Sequence, residues 1–326
     1  MVVAAPWEQL GETEEYAALV RQRIEHVVPV KEPLVLCSQI QRSGGTLLSQ
    51  LFDGHPEVHA HPHEIKIGWP REANWPPIDL ADLPATFERL FEKKALTHFL
   101  DGYQKRGAKL DGEPSPSFDV FPFVFLPRLQ KAIFDACAAG AENARDVLDA
   151  YFTSYFNAWL DNHNLYAGPK KAVTGFTPRL AMDPGNRDEL FAAYPDATLI
   201  SIVREPQSWY LSASRYSPRR FPDVETAMRL WRESAEAALD ERAVVVTYER
   251  LVSATAEVMA RLARRIGIAM SPVLLEPTFN GRPIRANSAE EVAQHGVLAR
   301  REPPPADPRV AELAGDLYER ARERSL

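Results

Sequence analysis

Cysteine is nearly absent from this 326-residue sequence, which has only Cys37 and Cys137. Two thiols so far apart give no disulfide framework and no metal-ligand spacing. Stability must then come from a packed core, which a chain of this length can bury. Cys37 follows the apolar run Leu34–Val35–Leu36 and is expected as a free, buried thiol. An excess of positive charge is also missing: 38 Lys and Arg against 45 Asp and Glu give a net charge of −7. That balance excludes broad binding to nucleic acid, and an anionic ligand would need a local cluster of donors. Long apolar runs are lacking too, with none near the ~18–20 residues of a membrane span. The N-terminal stretch MVVAAPWEQLGETEEY turns acidic without a basic segment leading into an apolar one, unlike a signal peptide. These absences point to a soluble, cytoplasmic protein.

What is present is an alternation of strands and helices. Residues 11–28 repeat Tyr16, Leu19, Val20, Ile24 and Val27 at helical spacing, and Pro29 and Pro33 end the pattern. The run LVLCS at 34–38 predicts a strand buried on both faces, followed by a glycine turn and the helix TLLSQLFDG. Further strands are expected at 171–175, 198–203 and 243–247, with helices from Glu205–Pro206 and over 249–267. A last helix is expected over 308–323, after a turn-rich stretch at 276–288 and the proline cluster at 303–305. Alternating strands and helices imply a mostly parallel sheet covered on both faces. Between the two halves, residues 66–170 carry Trp69, Trp75, Phe87, Phe91, Phe99, Phe118, Phe121, Phe123, Phe125, Phe152, Phe156 and Trp159. We read them as a helical insertion over the sheet whose aromatics mainly pack a core, within a single domain spanning 1–326.

The first chemistry-bearing segment is Gln41–Arg42–Ser43–Gly44–Gly45–Thr46, where the first strand meets its helix. Unpaired backbone N–H groups at a helix start attract anions, and glycines let the backbone come close to one. Arg42 adds a fixed positive fork, and Ser43 and Thr46 add hydroxyl donors. The loop lacks the Gly-Lys-Ser/Thr ending of a Walker A motif, and no aspartate ends a later strand to hold Mg²⁺. The second segment is IVREPQSWYLSAS, with Arg204 at a strand end and Ser212 on the helix that follows. In open α/β sheets that carboxyl edge is where ligands bind.

RSGGTLLSQLFDGHPEV closely resembles the loop that binds 3′-phosphoadenosine 5′-phosphosulfate (PAPS) in sulfotransferases, especially bacterial members and the tyrosylprotein sulfotransferases. Arg42, Ser43, Gly44, Thr46, Leu47, Asp53, His55 and Pro56 match, and Gly45 stands where those enzymes have a threonine. An arginine at a strand end with a serine eight residues on is the family's other mark, and Arg204 and Ser212 match it. VVVTYERLV resembles the strand whose following tyrosine contacts the nucleotide, which suggests Tyr248. TFNGRPIRANS resembles the loop that closes over the cofactor, with Arg282, Arg285 and Ser288 in reach of phosphate. The resemblance covers residues 34–65 and about 172–290. It implies a P-loop-like three-layer α/β fold and transfer of a sulfuryl group from PAPS to a hydroxyl, leaving PAP.

That reaction needs an in-line attack, a base for the acceptor's proton and cations for the departing PAP. The cluster HAHPHE (His59, His61, His63, Glu64) is irregularly spaced across a proline, a poor zinc template. Relatives with such a loop use a glutamate shortly after the first helix, which suggests Glu64 as base. A gapless register puts His63 there instead, and a histidine titrates near neutrality unaided. Many relatives carry a lysine where this chain has Phe176, so Arg42 alone, Lys66 or Arg179 would supply the charge on the bridging oxygen. No metal is required. The aromatic insertion suits a small-molecule or glycoside acceptor. Two rivals are an ATP-dependent phosphotransferase and a non-catalytic module that binds PAP or PAPS.

Overall fold

Apolar runs without polar alternation need cover on both faces, so they belong inside a sheet rather than at its surface. A computed structural model describes residues 14–65, 74–91, 103–105, 119–121, 124–283 and 307–326, and in it these runs are the middle of one sheet. The chain begins with α1 (Glu14–Glu25), β1 (Leu34–Cys37), α2 (Gly45–Phe52) and β2 (Val58–Glu64). Then come α3 (Leu83–Leu90), the short antiparallel pair β3 (Tyr103–Lys105) and β4 (Asp119–Phe121), α4 (Pro127–Ala138) and α5 (Ala144–Ala158). The second half holds β5 (Ala172–Phe176), α6 (Pro184–Ala193), β6 (Thr198–Val203), α7 (Pro206–Tyr216), α8 (Val224–Ala238) and β7 (Ala243–Thr247). It ends with α9 (Tyr248–Ser253), α10 (Thr255–Ile266), the hairpin β8 (Thr278–Phe279) and β9 (Arg282–Pro283), α11 (Pro308–Ala314) and α12 (Leu317–Arg324).

Five strands form a parallel sheet in the order β2–β5–β1–β6–β7. Successive residues of β1 point to opposite faces, and the core divides accordingly. Leu34 and Leu36 pack with the aromatics of α4 and α5, whereas Val35 and Cys37 pack with Leu47, Leu48 and Leu51 of α2 and with α10. This is a three-layer α/β fold with a parallel sheet in the middle. The chain leaves β1 towards β2 on one side, while β6 leads to β7 on the other. The crevice between the carboxyl ends of β1 and β6 is therefore the switch point of the sheet.

Phe87, Phe91, Phe125, Phe152, Phe156 and Trp159 are buried in the core, and Trp75 packs against it. Trp69, Phe99, Phe118 and Phe123 lie outside the described residues, as do Lys66, Arg285 and Ser288. Two expected helices are each found as a pair. The run over 249–267 breaks at Ala254, whose φ of −136° is not helical, into α9 and α10. The last helix breaks at Gly315, which takes φ 58°, into α11 and α12. In both cases the apolar period continues across the break, so periodicity alone does not reveal it.

Candidate active site

The loop between β1 and α2 is built to keep its amides open. Gly44 caps α2 in a left-handed conformation (φ 105°, ψ 8°) and, as glycine, brings no side chain to cap the first turn. Arg42 also takes a positive φ of 70°, uncommon for a residue with a side chain. Two buried tryptophans hold the backbone of this loop and of the neighbouring strand end. Trp209 Nε1 donates to the carbonyl of Gln41 at 2.8 Å, and Trp231 Nε1 donates to that of Arg204 at 3.0 Å. Ser234 Oγ accepts from the amide of Ile40 at 2.9 Å.

The second motif reaches the first directly. Arg42 Nε donates to Ser212 Oγ at 3.1 Å, and an Arg204 N–H donates to the Arg42 carbonyl at 3.2 Å. Ser212 therefore faces Arg42 across the crevice. The Arg204 guanidinium lies 4.4 Å from the centroid of the Tyr248 ring, and that of Arg42 lies 4.7 Å from Tyr216. Both contacts orient the cations without neutralising them. With its amide oriented to satisfy both neighbours, Gln41 accepts from Arg179 Nε at 2.9 Å and from Arg220 at 3.3 Å. Four guanidinium groups thus surround one loop in an acidic protein.

Glycine is required twice here. A Cβ on Gly44 would lie 2.5 Å from Tyr248 Cδ2, and one on Gly45 would collide with Gln39 Nε2 and with the Phe176 ring. The two departures from the family pattern, Gly45 and Phe176, are therefore one feature. The ring at 176 fills the space a side chain at 45 would take. Ser43 Oγ and Gln39 Nε2 are buried with no hydrogen-bond partner among the described residues. Gln39 Oε1 meanwhile accepts from Cys37 Sγ at 3.3 Å, and burial pushes the Cys37 thiol's pKa well up. Thr46 lies half-buried in the first turn of α2.

Glu64 ends β2 at half-burial, in register with Phe176 of β5. His63 precedes it in the strand, and its side chain is outside the described residues. The rest of the cluster turns inward. The His59 ring lies 5.1 Å from that of Phe156, and the His61 ring stacks at 4.6 Å on Tyr155. Burial, helped by the charge of Lys170, lowers the His59 pKa to about 3, so its imidazole is neutral. Among the described residues, no group of three or more His, Cys, Asp or Glu is placed to hold a metal ion.

The Asp-x-His-Pro end of the loop motif is a fastening. Asp53 accepts from Thr278 Oγ1 at 2.6 Å and from the amide of Gly281 at 2.9 Å, tying α2 to the β8–β9 hairpin. His55 Nε2 lies 2.9 Å from the Ala269 carbonyl, and His55 Nδ1 accepts from the amide of Glu57 at 3.2 Å. Those two bonds fix the neutral tautomer with its proton on Nε2, and burial lowers the His55 pKa. Arg282, at the end of the hairpin, is exposed. Sequence reading missed Gln39, Trp209, Tyr216, Arg220 and Trp231 in this region. Their side-chain contacts with the loop and with Arg204 join residues far apart in sequence, which a local motif does not report.

Fold and site together define an α/β protein with a cationic, glycine-lined loop at the switch point of its sheet. The family model described as "Sulfotransferase family" matches residues 33–272, and the chain belongs to that family. Among solved structures it is similar to the sulfotransferase domain of the curacin biosynthetic pathway (18% identity, 77% of this chain and 78% of that one, TM-score 0.42). It is also similar to the sulfotransferase domain of the Synechococcus PCC 7002 olefin synthase (23% identity, 76% and 78%, TM-score 0.41). Retinol dehydratase in complex with androsterone and the inactive cofactor PAP is similar at 12% identity (95% and 86%, TM-score 0.36). Comparison with curated protein sequences finds no match. Among the described residues, no helix is long and apolar enough to cross a membrane.

Proposed function

We propose that this sulfotransferase uses PAPS as donor and transfers its sulfuryl group to a hydroxyl of a small-molecule or glycoside acceptor. The observation that carries the reading is the junction of the two motifs, Arg42 on Ser212 and Arg204 on the Arg42 carbonyl, at the switch point of the sheet. The residues present fit an anionic nucleotide. The cradle needs glycine at two positions, its N-cap Gly44 adds no side-chain cap, and the buried hydroxyl of Ser43 has no partner among the described residues. PAPS supplies the activated sulfur when bound.

In this reading Arg42, Ser43, Thr46 and the amides of Gly44 and Gly45 hold the 5′-phosphosulfate, and Arg204, Ser212 and Tyr248 hold the 3′-phosphate side. Arg285 and Ser288 belong to the proposed cofactor-closing segment. The acceptor oxygen forms a bond to sulfur as the bridging sulfur–oxygen bond breaks. Its proton passes to Glu64, or to His63 as the alternative base, and the electron pair leaves with PAP. Arg42, with Arg179 beside the loop, stabilises charge on the leaving oxygen where relatives use lysine. Residues 66–170 would cap the acceptor side of a single 1–326 domain.

The test is transfer of labelled sulfur from PAPS, without added metal, to a panel of phenols, sterols, alkanols and glycosides. Turnover on at least one class, reduced at least a hundredfold by Glu64→Gln or His63→Gln, supports the reading. PAP binding with no turnover on any class would instead favour a non-catalytic nucleotide-binding module.

A further inference from the structure

Residues 307–326 follow the segment that matches the family, yet they fasten the nucleotide side of the cradle from outside. Val310, Ala314, Leu317 and Ala321 of α11 and α12 are buried in the same core as Trp209 and Trp231. Those are the two tryptophans that hold the carbonyls of Gln41 in the loop and of Arg204 after β6. Beyond α12, Ser325 Oγ accepts from the amide of Thr247 at 2.9 Å, and the amide of Leu326 donates to the carbonyl of Val245 at 3.0 Å. The chain end therefore pairs along the edge strand that delivers Tyr248.

One side chain goes further. Tyr318 Oη donates to Glu249 Oε2 at 2.8 Å, and Glu249 Oε1 accepts from the amide of Glu205 at 3.1 Å. Glu249 follows Tyr248, and Glu205 follows Arg204, so one carboxylate bridges the two strand ends that carry the Arg204–Tyr248 pair. The Glu205 carboxylate in turn caps α7 through the amides of Gln207 and Ser208, which leaves Glu249 to hold the backbone turn after Arg204. Burial raises the Glu249 pKa, and the hydrogen bond from Tyr318 opposes that rise more than the charge of Arg204 does. Burial and the neighbouring carboxylate push the Tyr318 pKa up, so its hydroxyl remains a donor.

We propose that Tyr318 is a positioning residue for nucleotide binding: acting through Glu249, it sets the Arg204–Tyr248 pair that grips the 3′-phosphate. This rests on the PAPS reading above.

The experiment compares PAP with adenosine 5′-monophosphate, which lacks the 3′-phosphate, on the full chain. Tyr318→Phe should weaken PAP binding about threefold to tenfold, the scale of one hydrogen bond to a charged group acting indirectly. It should leave the monophosphate affinity unchanged, and raise KM for PAPS without lowering kcat. Glu249→Ala should weaken PAP binding at least as much, and adding Tyr318→Phe to it should change nothing more. An unchanged PAP affinity, or an equal loss for both nucleotides, would overturn the proposal. If the unsubstituted protein bound PAP no better than the monophosphate, the PAPS reading would fall first, and this inference with it.

Discussion

Substituting Gly44 by alanine perturbs the cradle in two separable ways. The backbone there holds φ 105°, and an L-residue forced into left-handed conformation costs about 1–2 kcal/mol. The reduced freedom of the unfolded alanine variant returns about 0.4–1 kcal/mol of that. The new methyl would also lie 2.5 Å from Tyr248 Cδ2 and 3.0 Å from Cε2. Carbon atoms in contact sit about 3.5–4.0 Å apart, so the ring must move by about 1 Å. That ring supports the Arg204 guanidinium at 4.4 Å, an arrangement of about 0.5–2 kcal/mol. We expect Gly44→Ala to destabilise the fold by about 1–3 kcal/mol and to weaken PAP binding at least tenfold. The assay is a double-mutant cycle with Tyr248→Ala, followed by denaturant titration and calorimetry. Without the ring, the clash vanishes and only the backbone strain remains, so Gly44→Ala should cost clearly less PAP affinity in that background. Equal losses in both backgrounds would refute the placement of Tyr248 against the loop.

Three further outcomes concern buried and half-buried groups. The lowered pKa of His59 means the unfolded chain takes up a proton near pH 6.5 that the folded chain accepts only near 3, so stability is lost as pH falls through that window. His59→Phe should remove this loss, widening its stability advantage by about 1 kcal/mol per pH unit below pH 6 in denaturant titrations; a pH-independent difference would contradict it. Asp240 is held down to about 2, first by the Arg242 guanidinium and also by Arg187, so its contribution is present above pH 4 and lost as pH falls towards 2. Asp240→Asn should cost about 1 kcal/mol at pH 7, after allowing for solvent screening, and nearly nothing at pH 2. Asp53→Ala strips the Gly281 amide of its acceptor, while the Thr278 hydroxyl keeps the Asp53 backbone carbonyl at 2.9 Å, and should cost about 1–3 kcal/mol by thermal or chemical unfolding.

Much of this molecule is legible in its residues. The runs at 34–37, 198–203 and 243–247 could only be strands covered on both faces, and all three lie side by side with β5 and β2 in one parallel sheet. Arg204 was identifiable because it directly follows such a strand and Arg42 because it lies in the glycine loop after another, and both sit at the carboxyl edge of the sheet. What local pattern does not carry is the partner that comes from elsewhere. Local pattern gives Trp209 and Trp231 no role, and the structure puts their N–H groups on the carbonyls of Gln41 and Arg204. Ser212 is spaced correctly from Arg204 yet bonds Arg42, a contact between residues 170 positions apart that spacing does not reveal. Phe176 read as a missing lysine, and only packing shows that its ring and Gly45 occupy one space. Asp53 and His55 matched a motif whose contacts here hold the hairpin and the loop after α10 in place.

The central claim is that the cradle at Arg42 and Arg204 holds PAP. Calorimetric titration with PAP, against ATP with and without Mg²⁺, should show micromolar or tighter PAP binding that needs no metal. Arg42→Ala and Arg204→Ala should each abolish it, with ATP far weaker throughout. Binding of ATP with Mg²⁺ and none of PAP would contradict the account and favour phosphoryl over sulfuryl transfer.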